Sequence, residues 1–134
     1  MKNADHKFEN FSKALKRLNE AVTICKSNPD NEIYRDSLIK RYEFTFELAW
    51  KTLKAFMQDK HMLSEEFNSP RNILKKAYGE YIINDEEIWL EMLEARNNAA
   101  HNYDEKAAKS VAESILFRYG KQLNLLSDFF KKNA

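Results

Sequence analysis

This chain is poor in the residues that bend and staple a polypeptide. Its 134 residues include two glycines, two prolines and a single cysteine, Cys25. So few turn-formers exclude an all-β chain, whose many short strands each need a turn. One cysteine excludes an internal disulfide and suits a reducing compartment. On the first predicted helix Cys25 reads as a small apolar filler rather than a reactive thiol. Long apolar runs are lacking too, so no segment reaches the roughly 20 residues that a membrane-spanning helix needs. The first ten residues are polar, without the apolar stretch of an export signal, which predicts a cytoplasmic protein. Charge of one sign is also missing: 22 Lys+Arg face 21 Asp+Glu, a net charge of +1. No global field then draws nucleic acid or a membrane surface, and any phosphate binding has to be local.

What is there is helical periodicity. Phe8, Phe11, Leu15, Leu18, Val22 and Cys25 recur at three and four residues, predicting a helix from about Asp5 to Lys26. Pro29 closes it, and Asp30 or Asn31 caps the next. From Glu32 to about His61, Ile39, Tyr42, Phe46, Ala49, Leu53 and Phe56 form one stripe, which Leu38, Phe44, Leu48 and Trp50 widen. So broad a face predicts a central helix or a subunit interface. Ser69-Pro70 opens a short helix that buries Ile73, Leu74, Ala77 and Tyr78 and ends at Gly79. Asn84 or Asp85 starts a fourth helix carrying Ile88, Trp89, Met92, Leu93 and Ala95. A last one runs from Asp104 to about Phe130, with Gly120 inside it at a cost of about 1 kcal/mol. A close helix crossing at Gly120 is one reading of that glycine. The expectation is a single all-α domain over residues 1–134, an up-and-down four-helix bundle with one extra short helix.

Chemistry concentrates at Arg96-Asn97-Asn98-Ala99-Ala100-His101-Asn102-Tyr103. On one continuous helix Arg96 and His101 would stand about 140° apart, so they address one ligand only where the helix ends between them. Asp104 has the character of a fresh N-cap and supports such a break. Arginine grips phosphate oxygens bidentately, and histidine exchanges a proton with a ribose hydroxyl or a leaving oxygen near neutral pH. Asn97 is placed to hydrogen-bond a phosphate or the imidazole. One chain offers only one such histidine, so a full acid–base pair needs two chains across a dimer axis. From spacing alone, a surface arginine with a capping histidine and a packed tyrosine is the commoner arrangement.

A second segment, Arg41 to Lys51, sets Glu43 and Glu47 at i, i+4 on one acidic edge, with Glu47 one turn before Lys51. These carboxylates either orient Arg96 or His101 from a neighbouring helix or form a solvated, ion-paired face. The latter is the commoner case. No zinc-type ligand spacing, no Glu-x-x-His pair and no Gly-rich phosphate loop occurs, so neither a metal nor a nucleotide cofactor is expected. The nucleotidyltransferase pattern of Gly-Ser with spaced aspartates is likewise missing.

Arg96-x4-His101-x-Tyr103 resembles the signature of HEPN domains, small helical proteins of higher eukaryotes and prokaryotes. Arg41-Tyr42-Glu43-Phe44-Thr45-Phe46-Glu47-Leu48-Ala49-Trp50-Lys51-Thr52-Leu53-Lys54 resembles the second-helix signature of the nucleotidyltransferase substrate-binding proteins within that group. Ser69-Pro70-Arg71 and Arg96-Asn97 through His101-Asn102-Tyr103-Asp104-Glu105 fit the same pattern, and the resemblance extends from about Asp5 to Phe130. It implies a four-helix bundle that forms a homodimer and joins a minimal nucleotidyltransferase subunit encoded nearby. Two functions descend from it. In toxin–antitoxin pairs the HEPN dimer is a metal-independent endoribonuclease, with Arg96 and His101 as catalytic residues, and the partner silences it by transferring AMP to the tyrosine, here Tyr103. Alternatively, the subunit binds substrate for a split nucleotidyltransferase without catalysing anything itself.

Overall fold

The computed structural model describes residues 3–63, 69–99 and 104–133. Six α-helices follow in order: α1 (Asn3–Ser27), α2 (Glu32–Asp59), α3 (Pro70–Gly79), α4 (Glu86–Asn98), α5 (Glu105–Ser114) and α6 (Gly120–Lys132). A π-helical turn, Ile115–Tyr119, joins α5 to α6 without a break. The predicted last helix is therefore one continuous stretch with a π turn inside it. Among the described residues there is no strand, and the fold is all-α: four long helical stretches and the short α3. No described helix is long and apolar enough to cross a membrane.

Helix starts follow the short polar side chains. Asn31 Oδ1 accepts from Tyr34 N at 2.9 Å, Ser69 Oγ from Asn72 N at 3.2 Å, and Asp85 Oδ1 from Ile88 N at 3.1 Å. Asp104 Oδ1 does the same for Ala107 N at 2.7 Å. Each satisfies an amide that the helix cannot pair internally. Where two caps were open, Asn31 and Asp85 are the ones used.

The α1–α2 hairpin sets the frame. Cys25 Sγ lies 3.2 Å from Tyr34 O, Thr45 Oγ1 3.3 Å from Ala14 O, and Ala4 N donates to Asp59 Oδ2 at 3.1 Å. Partners fall along α1 as they rise along α2, which is an antiparallel register. α2 is the central helix, in contact with α1, α3, α4, α5 and α6. Its stripe of Leu38, Tyr42, Phe46, Ala49 and Leu53 is wholly buried. Phe46 packs on Trp89 of α4 with ring centroids 6.0 Å apart, and Tyr42 stacks on Tyr119 at 5.6 Å. Phe11 and Phe56 close the far end around Phe130.

Three details of the sequence reading change, at Phe44, Tyr78 and Gly120. Phe44 is 62% exposed, because it lies about 200° round α2 from the buried Tyr42. Tyr78 is also exposed: Ile73, Leu74 and Ala77 already fill the narrow face that α3 buries. Gly79 is the last residue of α3, yet the left-handed residue that turns the chain is Tyr81, at φ 62°. Around it Ile82 N reaches back to Ala77 O at 2.9 Å, closing the helix end. A left-handed conformation costs a residue with a Cβ about 1–2 kcal/mol, and the Tyr81 ring is 87% exposed. Tyr81→Gly is therefore expected to stabilise the fold by about 1 kcal/mol, read as a higher urea midpoint at unchanged slope.

Gly120 serves the π turn rather than a helix crossing. Its N–H donates to Ile115 O, five residues back, and a Cβ there would meet that same oxygen at 3.1 Å. One turn on, Asn124 donates to Gly120 O at 2.8 Å and exchanges amide hydrogen bonds with Asn19 of α1. The π turn also turns Arg118 and Tyr119 toward α4. Arg118 grips Glu91 with both terminal nitrogens, at 2.7 and 3.0 Å, and the Tyr119 hydroxyl donates to the same carboxylate at 2.6 Å. Burial, and then the Glu91 carboxylate, push the Tyr119 phenol up to about 12, so it stays a donor at any working pH.

Candidate functional site

α4 is fixed just ahead of its polar end. The Tyr42 hydroxyl donates to Met92 O at 2.7 Å, and Glu91 is held by Arg118 and Tyr119. One turn later comes Arg96, half-buried in the last turn. Its Nη2 donates to Glu47 Oε2 on α2, and its Nη1 donates to Asn97 Oδ1 at 2.8 Å. Those two contacts occupy two of the five N–H donors of a guanidinium, so the fork retains capacity for a further anion.

Glu47 is a hub. Besides Arg96 it accepts from Trp50 Nε1 at 3.1 Å and pairs with Lys51 Nζ at 3.4 Å. Burial pushes its carboxyl up, but the Trp50 and Arg96 hydrogen bonds, the Arg96 charge and Lys51 outweigh that. The group is held below the usual carboxylate range. Glu47 thus contacts Arg96 on the neighbouring helix and is also ion-paired to Lys51. Glu43 shares its face one turn earlier, half-buried, and makes no hydrogen bond or ion pair with another described residue. The crossing of α2 and α4 brings only the second of the two carboxylates to Arg96.

The required helix break is present. α4 ends at Asn98, Ala99 N–H bonds back to Ala95 O at 3.0 Å, and Asp104 caps α5. Arg96 is thus anchored at the brink of the segment that carries His101 and Tyr103. Both of those residues lie outside the described residues. Asn97 is exposed, and its amide oxygen accepts from Arg96 Nη1. Among the described residues no three His, Cys, Asp or Glu side chains converge as a metal site would require.

A feature missed in the sequence adjoins this cluster. Asn3, Lys7, Trp50, Lys51, Lys54 and Gln58 line a recess of about 310 Å³. It meets the Glu47 hub through Trp50 and Lys51, and it is basic. The signal was available: Lys51 and Lys54 stand at i, i+3, and an antiparallel hairpin joined by so short a turn brings Lys7 opposite them.

The family described as nucleotidyltransferase substrate binding protein like matches this chain over residues 6–132. A probable ribonuclease HepT of Haemophilus influenzae (strain Rd) is 28% identical over 89 residues, covering 62% of this chain. The match spans 61% of that curated relative, about three-fifths of its length. Among solved structures, a Thermus thermophilus protein superposes with a TM-score of 0.75 at 27% identity, over 87% of this chain and 94% of its own. A toxin–antitoxin solved with AMP-PNP gives 0.75 at 13% identity, over 96% of this chain and 97% of the other. A mutant of the toxin–antitoxin MntA-HpeT gives 0.76 at 14% identity with the same coverage. At that identity the last two share the fold. The chain belongs to the nucleotidyltransferase substrate-binding protein family, within the HEPN group.

Proposed function

We propose that this chain is the toxin subunit of a two-gene HEPN and minimal-nucleotidyltransferase pair, and that it cleaves RNA without a metal. The observation that carries the proposal is Arg96 itself. Glu47 and Asn97 hold it at the end of α4, next to the break that leads to His101. A guanidinium so placed stabilises charge that develops on a phosphoryl group.

In this reading the protein acts in the cytoplasm as a homodimer of one domain per chain, and each cleft uses residues of both copies. His101 takes the proton of a ribose 2′-hydroxyl as its oxygen bonds to phosphorus. The bond to the 5′-oxygen then breaks, and the partner subunit's His101 returns a proton to that leaving oxygen. Arg96 binds the phosphorane between the two steps. Lys7, Lys51 and Lys54 take the neighbouring phosphates, supplying locally the positive charge that the whole chain lacks. The nucleotidyltransferase encoded nearby transfers AMP to the Tyr103 hydroxyl, placing a bulky anion where the RNA phosphate has to sit.

Expression of the chain alone and with its genomic neighbour tests this, with growth and the mass of the Tyr103 peptide as readouts. Growth arrest alone, and rescue with a gain of one AMP on Tyr103 in the pair, are expected. Normal growth with the chain alone, at full soluble expression, selects the non-catalytic substrate-binding role instead.

A further inference from the structure

Arg35, in the first turn of α2, is the only charged residue among the described ones that is more than nine-tenths buried. Its guanidinium makes no hydrogen bond or ion pair with a described residue. Burying an unpaired charge is costly, and a cation at a helix N-terminus opposes the dipole as well. The buried stem packs against its neighbours, but the charged head has no described partner to offset its cost. Its nitrogens are not sealed from solvent; the residue lines a cavity of about 520 Å³ between the α1–α2 turn and the α5–π stretch.

The cavity has the make-up of a ligand site. Lys26 and Lys109 add positive charge to its wall, and Asp30 and Glu113 offset part of it, leaving one net cation with Arg35. Leu38, Leu116 and the exposed ring of Phe117 form an apolar side, with Lys26 Nζ 5.3 Å from the Phe117 ring centre. A bare oxyanion would fill little of this space, whereas small-molecule sites occupy about 300–1,000 Å³. Burial pushes the thiol of Cys25, also on the wall, up against the lowering effect of the Arg35 charge, and its Sγ is engaged with Tyr34 O.

We propose that this cavity binds a small organic anion, a phosphate monoester or carboxylate gripped bidentately by Arg35, with a flat apolar body against Leu38, Leu116 and Phe117. Arg35 precedes Glu47 by twelve residues, about 18 Å along α2. The site is therefore separate from Arg96 and stands or falls apart from the ribonuclease reading.

The test is an NMR and calorimetric titration of the full chain with phenyl phosphate, benzoate, inorganic phosphate and benzyl alcohol. Phenyl phosphate or benzoate is expected to bind at least tenfold more tightly than inorganic phosphate or benzyl alcohol, shifting resonances around Arg35. Their ranking tells a phosphate site from a carboxylate site. Arg35→Met is expected to weaken that binding at least tenfold without lowering the thermal midpoint, because the lost charge had no partner. Leu116→Trp keeps the charge but fills the apolar side, and it is expected to block binding too. The proposal is overturned if neither organic anion binds, if inorganic phosphate binds as tightly, or if both variants bind like the native chain. It is equally overturned if Arg35→Met splits a dimer, for the occupant is then a carboxylate of another protein chain.

Discussion

His101→Ala is expected to lower RNA cleavage by about 10⁴-fold or more and to abolish growth arrest, with the helical fold and thermal midpoint unchanged. Positioned general acid or base catalysis contributes about 10²–10⁴ for each proton transfer. In a two-fold dimer one substitution removes both the base of one copy and the acid of the other, so both factors are lost together. Stability is spared because the flanking elements close on their own. Ala99 N–H is satisfied within α4, and α5 begins on the Asp104 cap. Cleavage is followed on a labelled RNA at matched protein concentration, alongside growth. Full toxicity in the variant removes His101 from the reaction.

The bundle was legible because its signals are local. Asn31, Ser69, Asp85 and Asp104 are short polar residues ahead of apolar periodicity, and each caps the helix it announces. Helix ends were harder to read. Tyr81 takes the left-handed turn although Gly79 stands two residues earlier, because the closing bond from Ile82 to Ala77 decides which residue inverts. The π turn leaves one trace in sequence, Gly120, and that trace has several explanations. A bond from Gly120 back to Ile115, five residues away, is a register shift that apolar spacing hardly records.

The candidate site was half legible for a related reason. That a carboxylate from the second helix orients Arg96 was one of two readings of Glu43 and Glu47. Which of the two does so depends on where α2 and α4 cross, and residues 49 apart do not report that. Arg35 was overlooked outright. A cation in the first turn of a helix reads as solvated, and only packing against the α5 end of the last helix reveals its burial.

Glu47→Ala is expected to lower kcat for RNA cleavage about 10- to 100-fold with little change in KM. In the proposed reaction the carboxylate acts through Arg96, whose pose it sets, and through Trp50 and Lys51 at the edge of the basic recess. Partly exposed ion pairs of this kind contribute about 0–1 kcal/mol to stability, so the variant should unfold close to the native midpoint. A guanidinium misplaced by about 1 Å, in contrast, can cost two orders of magnitude in rate. Glu47→Gln separates position from charge: its amide oxygen still accepts from Arg96 and Trp50, so it should recover most of the activity that alanine loses. Acid pH gives a second readout. Because its folded pKa is depressed, the Glu47 contribution is complete above the usual carboxylate range and fades only as pH falls through the lower folded value. The native chain should therefore keep its Arg96 pose below the usual carboxylate range. Were Glu47 instead a lock that neutralises Arg96, alanine would raise kcat above the native value. That outcome would turn the hub from a positioning device into a brake.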